Sequence, residues 1–295
     1  MMGHNMEKEK KKVAFWSIIA AIFLTSFKFA IGIITGSLGL LSEALHSCLD
    51  LMASIVTFFS VRVSDRPADQ NHHFGHGKVE NLSALIQTVL LLVTCGWIVY
   101  EAVRRLITKD VEIEVSVWSY VVVISSIIVD ISRSRALNSV AKKYNSQALE
   151  ADALHFSTDI WSSTVVLLGL ICAHFGFFFA DPIAALAVAI IVLYVCYRLG
   201  KKSIDILLDK APAETNRQIT QLLSNHTRIK EFHNVKIRTA GADTFISFNI
   251  HLDPTMNFLE VHRYCDALEK EIQQHIPRCE VYVHAEPQAL EHFLK

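Results

Sequence analysis

Two short stretches of this sequence, HSCLD at positions 46–50 and HFSTD at positions 155–159, each carry a histidine and an aspartate four residues apart within an apolar run. On a helix, residues i and i+4 lie on one face, so His46 points the same way as Asp50, and His155 the same way as Asp159. Two such helices side by side would supply two nitrogens and two oxygens, which suits a tetrahedral divalent ion such as Zn²⁺. Ionisable side chains are costly within a membrane, so we interpret these four residues as metal ligands rather than as satisfied groups of a protein core.

The composition places the chain in a lipid bilayer. Of its 295 residues 52% are hydrophobic and 19% are charged, and the mean hydropathy is +0.33. This balance is too apolar for an ordinary soluble protein. The net charge is −1 and no basic patch is interleaved with aromatic residues, so nucleic acid is excluded as a partner. The six cysteines form no Cys-x-x-Cys pair, which argues against a disulfide framework or a zinc knuckle.

Six apolar runs are long enough to cross a bilayer, which requires about 20 residues. The predicted transmembrane helices are 13–35, 38–63, 81–107, 115–131, 148–179 and 182–199. Lys and Arg collect in the N-terminal segment and in the loops after the second, fourth and sixth spans, the fourth-span loop including Arg133. Because positive residues accumulate on the cytoplasmic side, both chain ends are predicted to be cytoplasmic. Arg104 and Arg105 fall on the opposite side, but acidic residues follow them closely.

The composition changes after the sixth span. We predict a cytoplasmic N-terminal tail at 1–12, an α-helical transmembrane domain at 13–207 and a small cytoplasmic domain at 208–295. Hydrophobic periodicity in the last segment predicts an αββαβ order, an α+β fold of metallochaperone or ferredoxin-like type. The predicted elements are helix 215–226, strands 233–239 and 244–252, helix 258–275 and strand 279–285. Alternation along the last two strands places His251, His284 and Glu286 on one polar sheet face.

Taken together, these features resemble the cation diffusion facilitators, a family of homodimeric divalent-metal transporters. The resemblance covers nearly the whole chain and is carried by GSLGLLSEALHSCLD at 36–50, PADQNHHFGHGK at 67–78, ADALHFSTD at 151–159, the six spans and the C-terminal domain. It implies that His46, Asp50, His155 and Asp159 form a transport site between the second and fifth helices. We therefore expect a homodimer that is integral to the bacterial inner membrane.

The resemblance also implies a site in the polar loop between the second and third spans. Its ligands there would be Asp69, His72 and His76, with His73 an unmatched extra imidazole. A solvated polar loop without a metal is the alternative, but histidine is the commonest metal ligand and three occur within eight residues.

A regulatory site in the C-terminal domain is implied at His233, His262, His284 and Glu286. The sequence departs from the family pattern here, because Asn249 stands where many relatives have histidine. His251 lies two residues further along, on the same strand face, and is a candidate substitute. Glu286 also replaces the more common aspartate.

Two imidazoles with two carboxylates favour Zn²⁺, or its congeners Cd²⁺ and Co²⁺, over hard ions that require more oxygens. Ni²⁺, Fe²⁺ and Mn²⁺ stay open as alternatives, although family branches that use iron or manganese lean toward aspartate in the first ligand position. Metal ligation needs neutral imidazoles, so metal and protons would displace one another, and we predict a metal/proton antiporter.

Two other classes of function were weighed against transport. A membrane-embedded metalloenzyme would need a general base, and the sequence contains no H-E-x-x-H, no G-x-S-x-G and no glycine-rich phosphate loop. A membrane-bound metal sensor would use the C-terminal domain alone and would leave both intramembrane His/Asp pairs without a role. Lys28 in the first span and Asp130 beside Arg133 are interpreted as structural charges, not as ligands.

Overall fold

Six long helices precede a small three-stranded sheet in the structure, a computed structural model that describes residues 2–36, 38–108, 117–174 and 180–288. The chain divides into two units, Met1–Ile204 and Asp205–Lys295, and each is described by itself.

The first unit is a helical bundle. Its elements are α1 Met2–Thr35, α2 Leu38–Ser64, α3 Lys78–Thr108, α4 Val117–Tyr144, α5 Gln147–His174 and α6 Ala180–Leu207. Helix α1 packs along α2 and α4 packs along α5, and α2 also contacts α5. This last contact matters most for the site, because α2 and α5 carry the two His/Asp pairs.

Glycine permits the tight reversal between the first two helices. Gly36 has a φ of +66°, a left-handed conformation that costs glycine little. Gly32, one turn earlier, lets α1 approach α2 closely, because a Cβ atom there would lie 3.0 Å from the side chain of Leu41.

Among the described residues, four helical segments are long and apolar enough to cross a membrane: Met6–Thr35, Ala44–Ser64, Lys78–Arg104 and Val117–Tyr144. Six helices occur where six spans are predicted, and the crossing of α5 and α6 stays a prediction. Positions 115–116 of the predicted fourth span and 175–179 of the predicted fifth lie outside the described residues.

The helices extend beyond the apolar runs. Residues 2–12, predicted as a separate tail, are helical and continuous with the rest of α1, and α4 continues to Tyr144 instead of ending near Ile131. Hydropathy identifies only the part of a helix that suits lipid, whereas backbone hydrogen bonding continues through polar residues that pack against neighbouring helices.

The second unit confirms the predicted αββαβ order. Its elements are α7 Ala213–Asn225, β1 Glu231–Ala240, β2 Asp243–Leu252, α8 Phe258–His275 and β3 Cys279–Pro287. The sheet order is β1-β2-β3, with β1 antiparallel and β3 parallel to β2. Helix α8 begins at a capping box in which Asn257 and Glu260 each accept a hydrogen bond from the other's backbone N–H.

Alternation along β2 separates an apolar face from a polar one. Ile246, Phe248 and Ile250 are buried and pack in one core with Leu223 of α7 and Ile272 of α8. The side chains between them point to the other face of the sheet, since the side-chain period of a strand is two residues. The histidines of the three strands can therefore gather on that polar face.

Candidate metal centre

Helices α2 and α5 bring the two His/Asp pairs together. The Nε2 atom of His155 lies 3.1 Å from Oδ1 of Asp50 and 3.7 Å from Oδ2 of Asp159. The Nε2 atom of His46 lies 3.9 Å from Oδ1 of Asp50 and 4.0 Å from Oδ1 of Asp159. Each imidazole thus faces both carboxylates, one from its own helix and one from the other.

The four side chains differ in exposure. His155 is 3% exposed and Asp50 is buried, whereas the side chain of His46 is 35% exposed. Oδ2 of Asp159 and Nδ1 of His155 are buried without a protein hydrogen-bond partner among the described residues. The ligand atoms of His46, Asp50 and Asp159 all lie within 4.8 Å of one another, and His155 joins this group through its contacts with both carboxylates. Two carboxylates and two imidazoles are a donor set that suits a tetrahedral divalent cation.

A cavity of about 810 Å³ borders this ligand set and is lined by His46, Asp50 and Asp159. The remaining lining comes from the second halves of α1, α3 and α5, the first half of α2 and residues 123–133 of α4. In a bundle whose successive helices alternate in direction, these halves lie toward the α1–α2 turn, which we call the Gly36 end. We call the opposite end, where α1 begins, the Lys10 end.

Arg133 lies beside the site and ties several helices together. Its Nη2 atom donates to Oγ of Ser54 at 3.0 Å, its Nη1 atom lies 3.3 Å from Oδ1 of Asp130, and its guanidinium carbon lies 3.5 Å from the ring centre of Phe156. Oγ of Ser54 in turn donates to the backbone carbonyl of Asp50 at 3.0 Å. Arg133 therefore holds the backbone of one candidate ligand in place.

The prediction that Arg133 lies in a cytoplasmic loop is wrong, because the residue is buried within α4. The expected pairing of Asp130 with Arg133 is confirmed, and Lys28 lies in the wall of the cavity. Two weak features of the sequence could have indicated that Arg133 is buried. Ser54, the serine that accepts its hydrogen bond, lies one helical turn after Asp50, and the helical pattern of the fourth span continues past its apolar run.

The loop after α2 brings together the three residues predicted there. Oδ1 of Asp69 lies 3.2 Å from Nδ1 of His72, and Oδ2 of Asp69 lies 3.4 Å from Nε2 of His76. Backbone N–H groups of Asn71 and His72 donate to Asp69 and lower the pKa of its carboxyl group. His73 instead directs Nε2 to the backbone carbonyl of Gln70 at 3.0 Å. It stays outside the group, in keeping with its status as an unmatched extra.

A third group forms on the polar sheet face of the second unit. Oε2 of Glu286 lies 3.1 Å from Nε2 of His251 and 3.7 Å from Nε2 of His233, and Oε1 of Glu286 lies 3.5 Å from Nε2 of His284. Asn249 donates to Oε1 of Glu286 at 2.6 Å. Parallel pairing of His251 with Glu286 across β2 and β3 creates this arrangement.

The structure does not bring His262 into this group. Among the described residues, the ligand atoms that lie within 4.8 Å of one another here are those of His233, His251 and Glu286, and His284 lies at the edge of this set, where it contacts Glu286. His262 lies on the exposed face of α8, where it contacts Asp266 at 3.6 Å and stacks on Phe258. The physical reason is that α8 packs its buried residues against the apolar face of the sheet, the side away from the histidines of the strands.

Comparison with known proteins gives the family. The family described as "Cation efflux transmembrane domain" matches residues 14–208, and that described as "Cation efflux protein, cytoplasmic domain" matches residues 211–288. The chain is 29% identical to the cation-efflux pump FieF of Serratia proteamaculans over 96% of this chain and 95% of that one. It is 30% identical to FieF of Shigella boydii over 86% of this chain and 84% of that one.

Two solved structures are each similar to about a quarter of the chain. The structure described as "Mode of Action of a Putative Zinc Transporter CzrB" is 31% identical and covers 26% of this chain and 98% of that one, with a TM-score of 0.26. The metal-bound C-terminal domain of CzcD from Thermotoga maritima is 25% identical and covers 27% of this chain and 93% of that one, with a TM-score of 0.25. The family match over residues 14–208 settles membership: the chain belongs to the cation efflux family, the cation diffusion facilitators, which are integral membrane transporters and not enzymes.

Proposed function

We propose that this protein exports Zn²⁺ from the cytoplasm across the bacterial inner membrane in exchange for protons. The observation that carries the proposal is the convergence of His46, Asp50, His155 and Asp159 beside a cavity in the helical bundle. The metal ion is the cargo here, so these residues must bind it firmly enough to select it and loosely enough to release it.

The choice of Zn²⁺ is supported by the donor set. Two imidazole nitrogens and two carboxylate oxygens match a borderline ion with tetrahedral preference, whereas Mg²⁺ and Ca²⁺ require more oxygen ligands. Cd²⁺, Co²⁺ and Ni²⁺ accept similar ligands. Their transport, and that of the alternatives Fe²⁺ and Mn²⁺, is to be compared with the transport of Zn²⁺. Relatives are named cation-efflux pumps, which supports the direction of transport.

Exchange with protons follows from the chemistry of the ligands. A cation can bind His46 and His155 only when the imidazoles are neutral, and a proton that binds either ring removes a lone pair from the metal. Loading of protons from the outer side would therefore expel the metal there. Release of those protons on the inner side would restore the ligands for the next cation.

The arrangement of the whole protein is part of the proposal. All six helices of the first unit cross the bilayer, both chain ends are cytoplasmic, and the protein works as a homodimer. The match of residues 211–288 to the cytoplasmic domain of cation efflux proteins supports this orientation. The groups at Asp69, His72 and His76 and at His233, His251, His284 and Glu286 would then bind cytoplasmic metal.

The test is cation flux in liposomes that contain the purified protein and no ATP. Zn²⁺ should enter acid-loaded vesicles, and dissipating the proton gradient should stop the flux. Asp50→Ala and Asp159→Ala should each lower the flux by about 100-fold or more, because loss of even a supporting residue around a metal site costs about 10–100-fold.

Ser162→Ala serves as the matched control, because Ser162 lines the same cavity and is not a ligand. Its flux should stay close to that of the unmodified protein. Unchanged flux in either aspartate variant would contradict the proposed site, and flux that persists without a proton gradient would contradict exchange.

A further inference from the structure

A buried cluster of charges lies at the end of the bundle opposite the cavity. Nζ of Lys10, which is 1% exposed, lies 2.8 Å from Oδ1 of Asp65 and 2.7 Å from Oε1 of Glu80. Ser64 donates to Oε1 of Glu80 at 3.0 Å, and Ser146 donates to Oε2 of Glu80 at 2.6 Å. We call these five residues the Lys10 cluster. It joins the start of α1, the end of α2, the start of α3 and the segment just before α5.

The Lys10 cluster holds these helices together at a high cost in desolvation free energy. Removing a lysine and a carboxylate from water carries a large desolvation cost, and apolar side chains of similar size would pack at less cost. A cluster of this kind is suited to an end that must close in one conformation and become hydrated in another, since its charged groups are stable in both states.

Polar side chains fill the space between the Lys10 cluster and the His/Asp site. Thr57 of α2, Ser83 and Gln87 of α3 and Asp152 of α5 are all buried. Gln87 donates to Oγ1 of Thr57 at 2.6 Å and lies 3.4 Å from Oγ of Ser83. Together with Ser54 they form what we call the polar face of the bundle.

Several polar atoms of this region are poorly satisfied among the described residues. Asp152 is 0% exposed, and no hydrogen bond within 3.5 Å reaches its carboxylate oxygens, although the hydroxyl groups of Thr57 and Ser17 lie near them. Oε1 of Gln87 and Oδ1 of Asn81 have no hydrogen-bond partner in the described part of the chain. Buried polar groups are nearly always satisfied in stable protein cores. Their concentration between the site and the Lys10 cluster is therefore unexpected for a purely structural core and fits a passage for a hydrated or partly hydrated cation.

The spacing of these polar side chains aligns them along common helix faces. Asp50, Ser54, Thr57 and Ser64 are spaced by three, four or seven residues and so share one face of α2. Asp152 precedes His155 by one helical turn on α5, toward the Lys10 end. The polar face therefore begins at the His/Asp site and ends at the Lys10 cluster.

We propose that the polar face is the cation's route between the His/Asp site and the Lys10 end, and that the Lys10 cluster is the gate that closes this route. The proposal rests on the proposed transport function. A carrier that exchanges cations for protons must not be open at both ends at once, and here the Gly36 end holds the cavity while the Lys10 end is sealed by charge pairs. Asp152 is the carboxylate that the cation meets on this route.

The gate is tested by thiol labelling in a variant whose six native cysteines are replaced. Ser83→Cys places a thiol directly behind the Lys10 cluster, and Ala153→Cys places one in the apolar cluster around Phe156 as a control. Both parent residues are 3% exposed, so the two thiols start equally protected. A water-soluble maleimide is applied to the full-length protein in nanodiscs.

Lys10→Met should raise the labelling rate at position 83 by about tenfold or more and leave that at position 153 unchanged, because two buried carboxylates without their lysine draw in water. Glu80→Gln, which keeps the shape of the side chain, should act in the same direction and keeps the test usable if Lys10→Met does not fold. The exchange Lys10→Glu with Glu80→Lys should restore slow labelling. An unchanged rate at position 83, or an equal rise at both positions, overturns the gate.

The route is tested by Asp152→Asn in the liposome assay. Flux should fall about tenfold while equilibrium Zn²⁺ affinity at the His/Asp site changes by less than about threefold, since the ligands themselves are intact. Flux equal to that of the unmodified protein overturns the route. The labelling rate at position 83 is measured without any cation flux, so the gate and transport are tested separately. If Lys10→Met raises this rate in a protein that shows no cation flux, the transport function is rejected and the gate is kept. If the protein transports cations but Lys10→Met leaves the rate unchanged, the gate is rejected and transport is kept.

Discussion

The His/Asp group of the bundle and the His/Glu group of the sheet use similar ligands in opposite settings. In the bundle, two helices each contribute a histidine and an aspartate, and His155 and Asp50 are buried. In the C-terminal unit three strands place imidazoles around Glu286, and His284 is largely exposed. The buried group must bind a cation or protons to offset its desolvation, whereas the exposed group can be hydrated. This difference supports our proposal that the first group carries the transported cation and that the second serves in sensing or stabilisation.

The largest effect is expected at His155, whose Nε2 faces both carboxylates of the buried group. His155→Ala leaves Asp50 and Asp159 facing each other without the imidazole between them. Zn²⁺ affinity and flux should each fall by about 100-fold or more. Isothermal titration and the liposome assay measure the two quantities, and an affinity within about threefold of the unmodified protein would remove His155 from the ligand set.

The second prediction concerns Glu286, the common acceptor of the sheet group. Glu286→Gln removes the charge that three imidazoles share and should weaken Zn²⁺ binding to the C-terminal domain by about 10–100-fold. Flux should stay within about threefold, because the buried group is intact. Glu280→Gln, on the same strand and outside the group, is the control. A flux as low as that of His155→Ala would end the distinction between the two groups.

The third prediction restores a family ligand to the sheet group. Asn249→His places an imidazole beside Glu286, where the asparagine now donates at 2.6 Å. Zn²⁺ affinity of the C-terminal domain should rise about tenfold, because a nitrogen ligand replaces an amide that cannot ligate as strongly. The same substitution in a His251→Ala background tests whether His251 replaces the histidine that relatives have at position 249. If it does, the double variant should bind Zn²⁺ with the affinity of the unmodified protein.

The smallest effect is expected at His262. Because it lies on α8 and outside the ligand group, His262→Ala should change Zn²⁺ binding by less than about twofold. Metal titration of the full-length protein checks this. A loss as large as that of Glu286→Gln would restore His262 to the regulatory site that the family resemblance implied.

Much of the fold and of the central site could be predicted because they rest on local patterns. The spacing of His46 from Asp50, and of His155 from Asp159, survives in any helix, so their common faces follow from the chain itself. The same is true of the alternating residues in β2 that separate the core from the polar face. Their meeting across α2 and α5 needed the inference that the two helices are neighbours, which the structure supports.

Other features could not be predicted in this way. Arg133 was placed in a loop and Lys10 in a tail, because hydropathy treats a charge at the edge of an apolar run as solvent-exposed. Both are buried, since partners distant in the sequence satisfy them: Ser17 and Ser54 for Arg133, and Asp65 and Glu80 for Lys10. No local sequence pattern predicts contacts between residues that are so far apart in the chain.

By itself, then, the sequence determined the apolar helices, the αββαβ domain and the two His/Asp pairs, because each depends on spacing along one element. Only the tertiary structure decided which end of the bundle is sealed, which charges are buried and which histidines meet Glu286. Those outcomes depend on contacts between elements far apart in the chain, whose free energy comes from desolvation and pairing and not from any local preference.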